Sequence, residues 1–149
     1  MDEKLIAPCG MNCGICNSYL ALVNDLKSKG IMSTYCAGCR PRDKKCAFLK
    51  KRCHLLMSEI VQYCYECEEF PCLNLQHIDE RYRTLYRMSM VENLRCIREE
   101  GMAPFLEKQR EKWRCPKCGG IISCHNGICY SCEADKLKDK KTIYRWEDG

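Results

Sequence analysis

The chain has no run of eighteen apolar residues, the length that crosses a bilayer as a helix. Its start, MDEKLIAPCG, holds two acids and no apolar stretch of useful length, so no secretory leader is expected. Large apolar groups are scarce. There are 3 Phe and 2 Trp in 149 residues, and charged residues make up 30%. A small chain with so little to bury needs staples to fold. A Gly-rich phosphate loop is also missing, since the short CGG at 118–120 does not make one. No repeat of fixed period recurs.

What the sequence has instead is cysteine, 16 in all. Most come in C-x-x-C pairs: Cys13/Cys16, Cys36/Cys39, Cys64/Cys67, Cys115/Cys118 and Cys129/Cys132. Such a pair lets one tight turn aim two sulfurs at a point. Without a leader the expected location is cytoplasmic, where thiols stay reduced and these pairs bind metal rather than each other. No membrane association is expected. The formal charge of +5 counts every cysteine as neutral. A Zn(Cys)4 site carries a net −2, so three such sites would bring the total to about −1. Overall basicity is therefore a poor argument for a nucleic-acid partner.

The strongest pattern is Cys115-x2-Cys118-x10-Cys129-x2-Cys132, the spacing of a zinc ribbon. Gly119 and Gly120 let backbone amides turn onto the sulfurs. Cys124 and His125 lie between the knuckles and read as hairpin residues. A second set is Cys13-x2-Cys16-x19-Cys36-x2-Cys39. A third is Cys64, Cys67 and Cys72, which lacks a fourth ligand. Cys9, Cys46 and Cys53 are the candidates. Cys46 and Cys53 stand seven apart, about 10.5 Å along an unbroken helix, whereas sulfurs on one zinc lie about 3.7 Å apart. They cannot share an ion unless the helix starts after Cys46. Cys53 is favoured for the third site, and Cys9 or Cys46 for one nearer the N-terminus. Cys96, with no cysteine nearby, reads as a small buried hydrophobe. His54 and His77 read as surface residues.

Apolar spacing predicts helices over Gly14–Lys29 and about Lys45–Gln62. A short one is N-capped by Asp79. Another is opened by the capping box Ser89–Glu92 and ended by Gly101, and a last one spans Pro104–Trp113. Lys136–Lys141 reads as a solvated tail, with Thr142–Trp146 able to add a strand. The expected fold is small, metal-stabilised and mainly α with short β-hairpins. Its parts are a Cys-rich helical metal region (1–77), a helical segment (78–112), a zinc ribbon (113–132) and a charged tail (133–149).

The series APCGMNCGIC, CAGC and CYECEEFPC resembles domain of unknown function 3795, a prokaryotic family. The likeness continues through DERYRTLYRMSMVENLRCIREEG and FLEKQREKWRCPKCGG to about Cys132. The resemblance implies a cysteine-rich, zinc-binding protein with no established activity. It marks Cys9, Cys13, Cys16, Cys36, Cys39, Cys46, Cys53, Cys64, Cys67 and Cys72 as motif positions, and Cys96 and Cys124 as incidental.

Three functions compete. The first is a structural zinc protein holding about three ions and presenting a surface to a protein partner, since four-thiolate sites leave no position for substrate. A nucleic-acid partner is its variant. Arg40–Lys45 with Lys50, Lys51 and Arg52 form one basic patch. Lys108, Arg110, Lys112, Arg114 and Lys117 form another, and Trp113, Tyr130 and Tyr144 could stack bases. The second is an iron–sulfur protein with a [4Fe–4S] cluster at Cys9-x3-Cys13-x2-Cys16. The third is a thiol–disulfide protein using Cys13 and Cys16 at a helix N-terminus. No residue set reaches catalytic grade.

Overall fold

Helices account for the regular structure in a computed structural model that describes residues 1–42, 52–139 and Trp146. They are α1 (Asn17–Val23), α2 (His54–Met57), α3 (Leu73–Tyr86), α4 (Met90–Glu100) and α5 (Met102–Lys112). Short 3-10 turns at Cys13–Ile15, Leu26–Lys29, Cys64–Glu66 and Ala134–Leu137 carry much of the rest. The β component among the described residues is three isolated antiparallel bridges: Ile6 with Asn12, Arg114 with Ile121, and Ile122 with Cys129. The chain is mainly helical, and the expected hairpins reach no further than these bridges.

The expected helix over Gly14–Lys29 is broken. Asp25 takes a left-handed conformation at φ 46°, so α1 stops at Val23 and a 3-10 turn follows. Of the predicted apolar stripe Ile15, Tyr19, Leu22, Val23 and Leu26, Ile15 and Leu26 are buried but Leu22 and Val23 are exposed, and Leu20 and Ala21 turn inward in their place. The helix expected near Lys45–Gln62 falls partly outside the described residues, Cys46 included. What is described is only α2. Cys53 is extended before it, and Glu59 at φ 59° ends it and leaves Ile60 exposed.

Asp79 does not start a helix. It lies inside α3, which begins six residues earlier after Cys72. The Ser89 cap is present, with its hydroxyl accepting from Glu92 N–H at 3.1 Å. Gly101 at φ 93° both ends α4 and precedes α5. The last helix starts at Met102, which places Pro104 in its first turn, where a missing N–H costs nothing.

The main core joins distant parts of the chain. Leu5, Ile15, Leu56, Leu75, Met90, Leu94 and Trp113 belong to one buried cluster. Gly10 is where backbones meet most closely: at φ 88°, a Cβ there would lie 2.5 Å from the Met90 carbonyl oxygen. A second cluster packs Leu20, Ala21, Leu26 and Ile31 against Ile128, Tyr130, Ala134 and Leu137. Leu137 is therefore not part of a solvated tail; its turn covers α1. Lys140 and Lys141 lie outside the described residues, as does the expected strand apart from Trp146. The Trp146 indole donates to the Cys124 carbonyl at 2.7 Å and stacks under the Arg87 guanidinium at 4.3 Å.

Candidate metal centre

Two knuckles build the C-terminal centre. In the first, Cys115 N–H donates to Gly120 O at 2.7 Å, Gly119 N–H to Cys115 O at 2.9 Å, and Gly120 N–H to Cys118 Sγ at 3.3 Å. The second, Cys129–Cys132, turns so that Glu133 N–H reaches Cys129 O at 2.9 Å. Ile122 N–H on Trp113 O and Ser123 N–H on Ile128 O register the intervening loop. The result brings Cys115, Cys118, Cys129 and Cys132 together with all four sulfurs within 4.8 Å of one another. Cys115 and Cys132 are 3.7 Å apart, and Cys118 and Cys129 3.6 Å. A tetrahedral zinc with bonds of about 2.3 Å needs sulfurs about 3.7 Å apart. The donor set and its spacing fit one such ion.

Without a cation the electrostatics favour thiolate at Cys115 but not at Cys129 or Cys132, which burial pushes up, Cys132 to about 12. Backbone N–H groups of Cys118 and Lys117 hold the Cys115 thiol down to about 7. Burial pushes Cys129 up, and a bound cation would reverse that. Lys117 and Lys136 sit 2.9 and 3.1 Å from Glu133 and pull its carboxyl to about 2. That carboxylate also accepts from Cys129 N–H at 3.4 Å, so it braces the second knuckle.

The N-terminal pairs are neighbours rather than a closed set. Cys13 lies on a 3-10 turn whose Asn12 cap accepts Gly14 N–H at 2.9 Å. Cys16 directly precedes α1. Cys39 N–H donates to Cys13 Sγ at 3.4 Å, and Cys36 N–H to Ser18 O at 3.2 Å. The Cys39 thiol and burial push Cys13 far up, while burial, then the fields of Cys36 and Cys39, raise Cys16. Among the described residues, no group besides the C-terminal four closes to within 4.8 Å. Cys9 is fully buried in the main core. Cys53, Cys64, Cys67 and Cys72 line one cavity of about 170 Å³. Cys46 lies outside the described residues. Cys96 is half-buried rather than buried, its thiol donating to Glu100 at 2.9 Å. His54 and His77 are exposed, as expected.

Cys124 and His125 are more than hairpin filler. Cys124 is fully buried, and its N–H donates to Ile15 O at 3.0 Å, docking the loop on the N-terminal region. Burial, then the neighbouring Cys16, raise its thiol. His125 Nδ1 accepts from Asn17 N–H at 3.4 Å and lies 3.5 Å from Cys124 Sγ, with the Tyr86 ring 4.7 Å away. The only sequence signal for this junction is a Cys-His pair that the ribbon spacing leaves unused.

Burial depresses His125 to about 4. In the unfolded chain it returns to about 6.5, so the unfolded state takes up the proton first. Its contribution to stability is complete above about pH 6.5 and fades as pH falls toward 4. At matched zinc content, we expect wild type to lose about 2 kcal/mol more than His125→Gln between pH 7 and 5. Equal losses in denaturant titrations would show that the ring is not buried neutral.

The basic patches are less open than the sequence suggests. Lys108 pairs with Glu100 at 2.6 Å, Arg110 with Glu107 at 2.6 Å and Lys117 with Glu133 at 2.9 Å. Trp113 and Tyr130, expected as stacking platforms, are 3% and 1% exposed because each fills a core. They cannot receive a base. Asp43–Lys45, Lys50, Lys51 and Tyr144 lie outside the described residues. No described helix is long and apolar enough to cross a membrane.

Residues 5–77 match the family model described as Protein of unknown function (DUF3795). That span ends before the C-terminal centre, over which the sequence resemblance also runs. No curated protein and no solved structure matches the chain.

Proposed function

We propose, from the similarity of residues 5–77 to the family described as Protein of unknown function (DUF3795), that the chain is a structural-zinc protein acting as a binding or adaptor module. One observation carries this: the four sulfurs of Cys115, Cys118, Cys129 and Cys132 stand at tetrahedral zinc spacing. Four thiolates complete the coordination of one zinc and leave no place for substrate. The ion would supply folding free energy and fix the ribbon against the α1 region. Cys13, Cys16, Cys36 and Cys39, already neighbours, would hold a second ion.

A protein partner suits the surface better than nucleic acid does. Lys108, Arg110 and Lys117, three of the five basic side chains of the patch beside the ribbon, face carboxylates that a phosphate would have to displace. Zinc content decides the proposal. Protein purified without added metal should carry zinc, and Cys118→Ser should carry one equivalent less. A folded, zinc-free chain whose ribbon thiols alkylate freely would overturn it.

A further inference from the structure

Cys53, Cys64, Cys67 and Cys72 come from three separate turns and meet at one cavity of about 170 Å³. Cys53 lies extended at the start of α2. The chain then reverses, with Ile60 N–H on Leu55 O at 2.9 Å. Cys64 is pinned by its N–H to Pro8 O at 2.9 Å, and the turn closes with Cys67 N–H on Cys64 O at 3.2 Å. Cys72 precedes the fourteen-residue α3, its carbonyl accepting Gln76 N–H at 2.9 Å. Leu56, Val61, Phe70 and Leu75 complete an apolar wall. The four cysteines thus line one space, on backbone that hydrogen bonds hold.

The occupant follows from size and donor type. Arg52, His54, Glu69 and Asn74 also line the cavity, and four thiolates there select soft metals: zinc, copper(I) or iron–sulfur clusters. A single zinc would need the sulfurs about 3.7 Å apart. Among the described residues only the ribbon four approach that closely. The cavity four stand farther apart around a space worth several water volumes. A cubane places iron and sulfide between its thiolates and holds them wider than one ion does. We propose that this cavity binds a [4Fe–4S] cluster through Cys53, Cys64, Cys67 and Cys72. The site shares no residue with the ribbon. It also differs from the Cys9/Cys13/Cys16 location expected from spacing.

Loading is a ligand exchange. The four cysteine thiols displace the four terminal thiolates of a preformed cluster and pass their protons to them. Four Fe–S bonds break, four form, and the iron oxidation state does not change. The test uses the full chain, anaerobic, with a [4Fe–4S] cluster capped by small thiolates. After desalting, about four irons and four sulfides per chain and a broad band near 400 nm are expected. The Cys67→Ser/Cys72→Ser double variant should keep less than a tenth of the band, and Cys96→Ser should keep nearly all of it. Alkylation mapping of loaded wild type needs no variant and so does not depend on one folding. Cys53, Cys64, Cys67 and Cys72 should be protected while Cys96 reacts. Failure to retain iron, a band that survives in the double variant, protection falling on Cys9, Cys13 and Cys16 instead, or a single zinc held by the cavity four against the cluster would each overturn the assignment.

Discussion

Replacing Cys129 with serine should remove one zinc and abolish cooperative thermal unfolding. Cys129 is fully buried, and its sulfur is 3.6 Å from that of Cys118. Its neighbours Ile128 and Tyr130 are the ribbon's contribution to the cluster that buries Leu20 and Leu26. Losing the ion therefore loosens more than the knuckle: it releases the surface on which α1 rests. Structural zinc sites bind with an apparent free energy of about 10–16 kcal/mol, as large as the whole stability of a typical domain, about 5–15 kcal/mol. A strong chelator should reproduce the effect in wild type. Cys96→Ser is the control. That thiol is half-buried and outside every cysteine pair, and its loss should cost under about 1 kcal/mol. Metal analysis with circular-dichroism melts reads both. A Cys129→Ser protein melting within a few degrees of wild type would mean that the ribbon folds without metal.

That Cys115, Cys118, Cys129 and Cys132 gather at one point could be read from spacing because both knuckles are local and their separation is short. The caps of α4 were legible for the same reason: Ser89 and Gly101 act within one turn of their helix. Long-range effects were not. Nothing around Asp25 announces a left-handed residue, so one apolar stripe suggested one helix where the chain makes two pieces. Leu73–Ile78 shows little periodicity, and the buried face of α3 rests mainly on Leu75 and Asp79. Cys53 was favoured over Cys9 and Cys46 as the partner of Cys64, Cys67 and Cys72, and these four line one cavity. The width of their cavity could not be read that way, because it depends on where three turns stop. Cys124 and His125 looked incidental because their partners, Ile15 and Asn17, lie more than a hundred residues away.

Asp79 carries the largest expected effect away from any metal. Acidic residues near helical patterns are usually caps of their own helix, and here the carboxylate caps the next one. Asp79 Oδ1 accepts from Val91 N–H at 3.0 Å and Ser89 Oγ at 2.7 Å, while Oδ2 pairs with Arg83 at 2.8 Å. The residue is 5% exposed and Ser89 6%. One buried side chain thus satisfies a free N–H at the start of α4, orients the hydroxyl that caps Glu92, and ties α3 to α4. Asp79→Ala would leave the Val91 N–H and the Ser89 hydroxyl buried without this acceptor, at about 1–3 kcal/mol for each such group. The expected loss is about 3 kcal/mol, which lowers the melting temperature by roughly 6–12 °C in a chain of this size. Asp79→Asn keeps an acceptor oxygen for both donors and gives up only the charge pairing with Arg83, which is 56% exposed and so contributes about 1 kcal/mol at most. The order of the two variants is the discriminating result. If Asn costs as much as Ala, the charge on Asp79 matters more than its hydrogen bonds, and the ion pair rather than the helix cap holds α3 to α4.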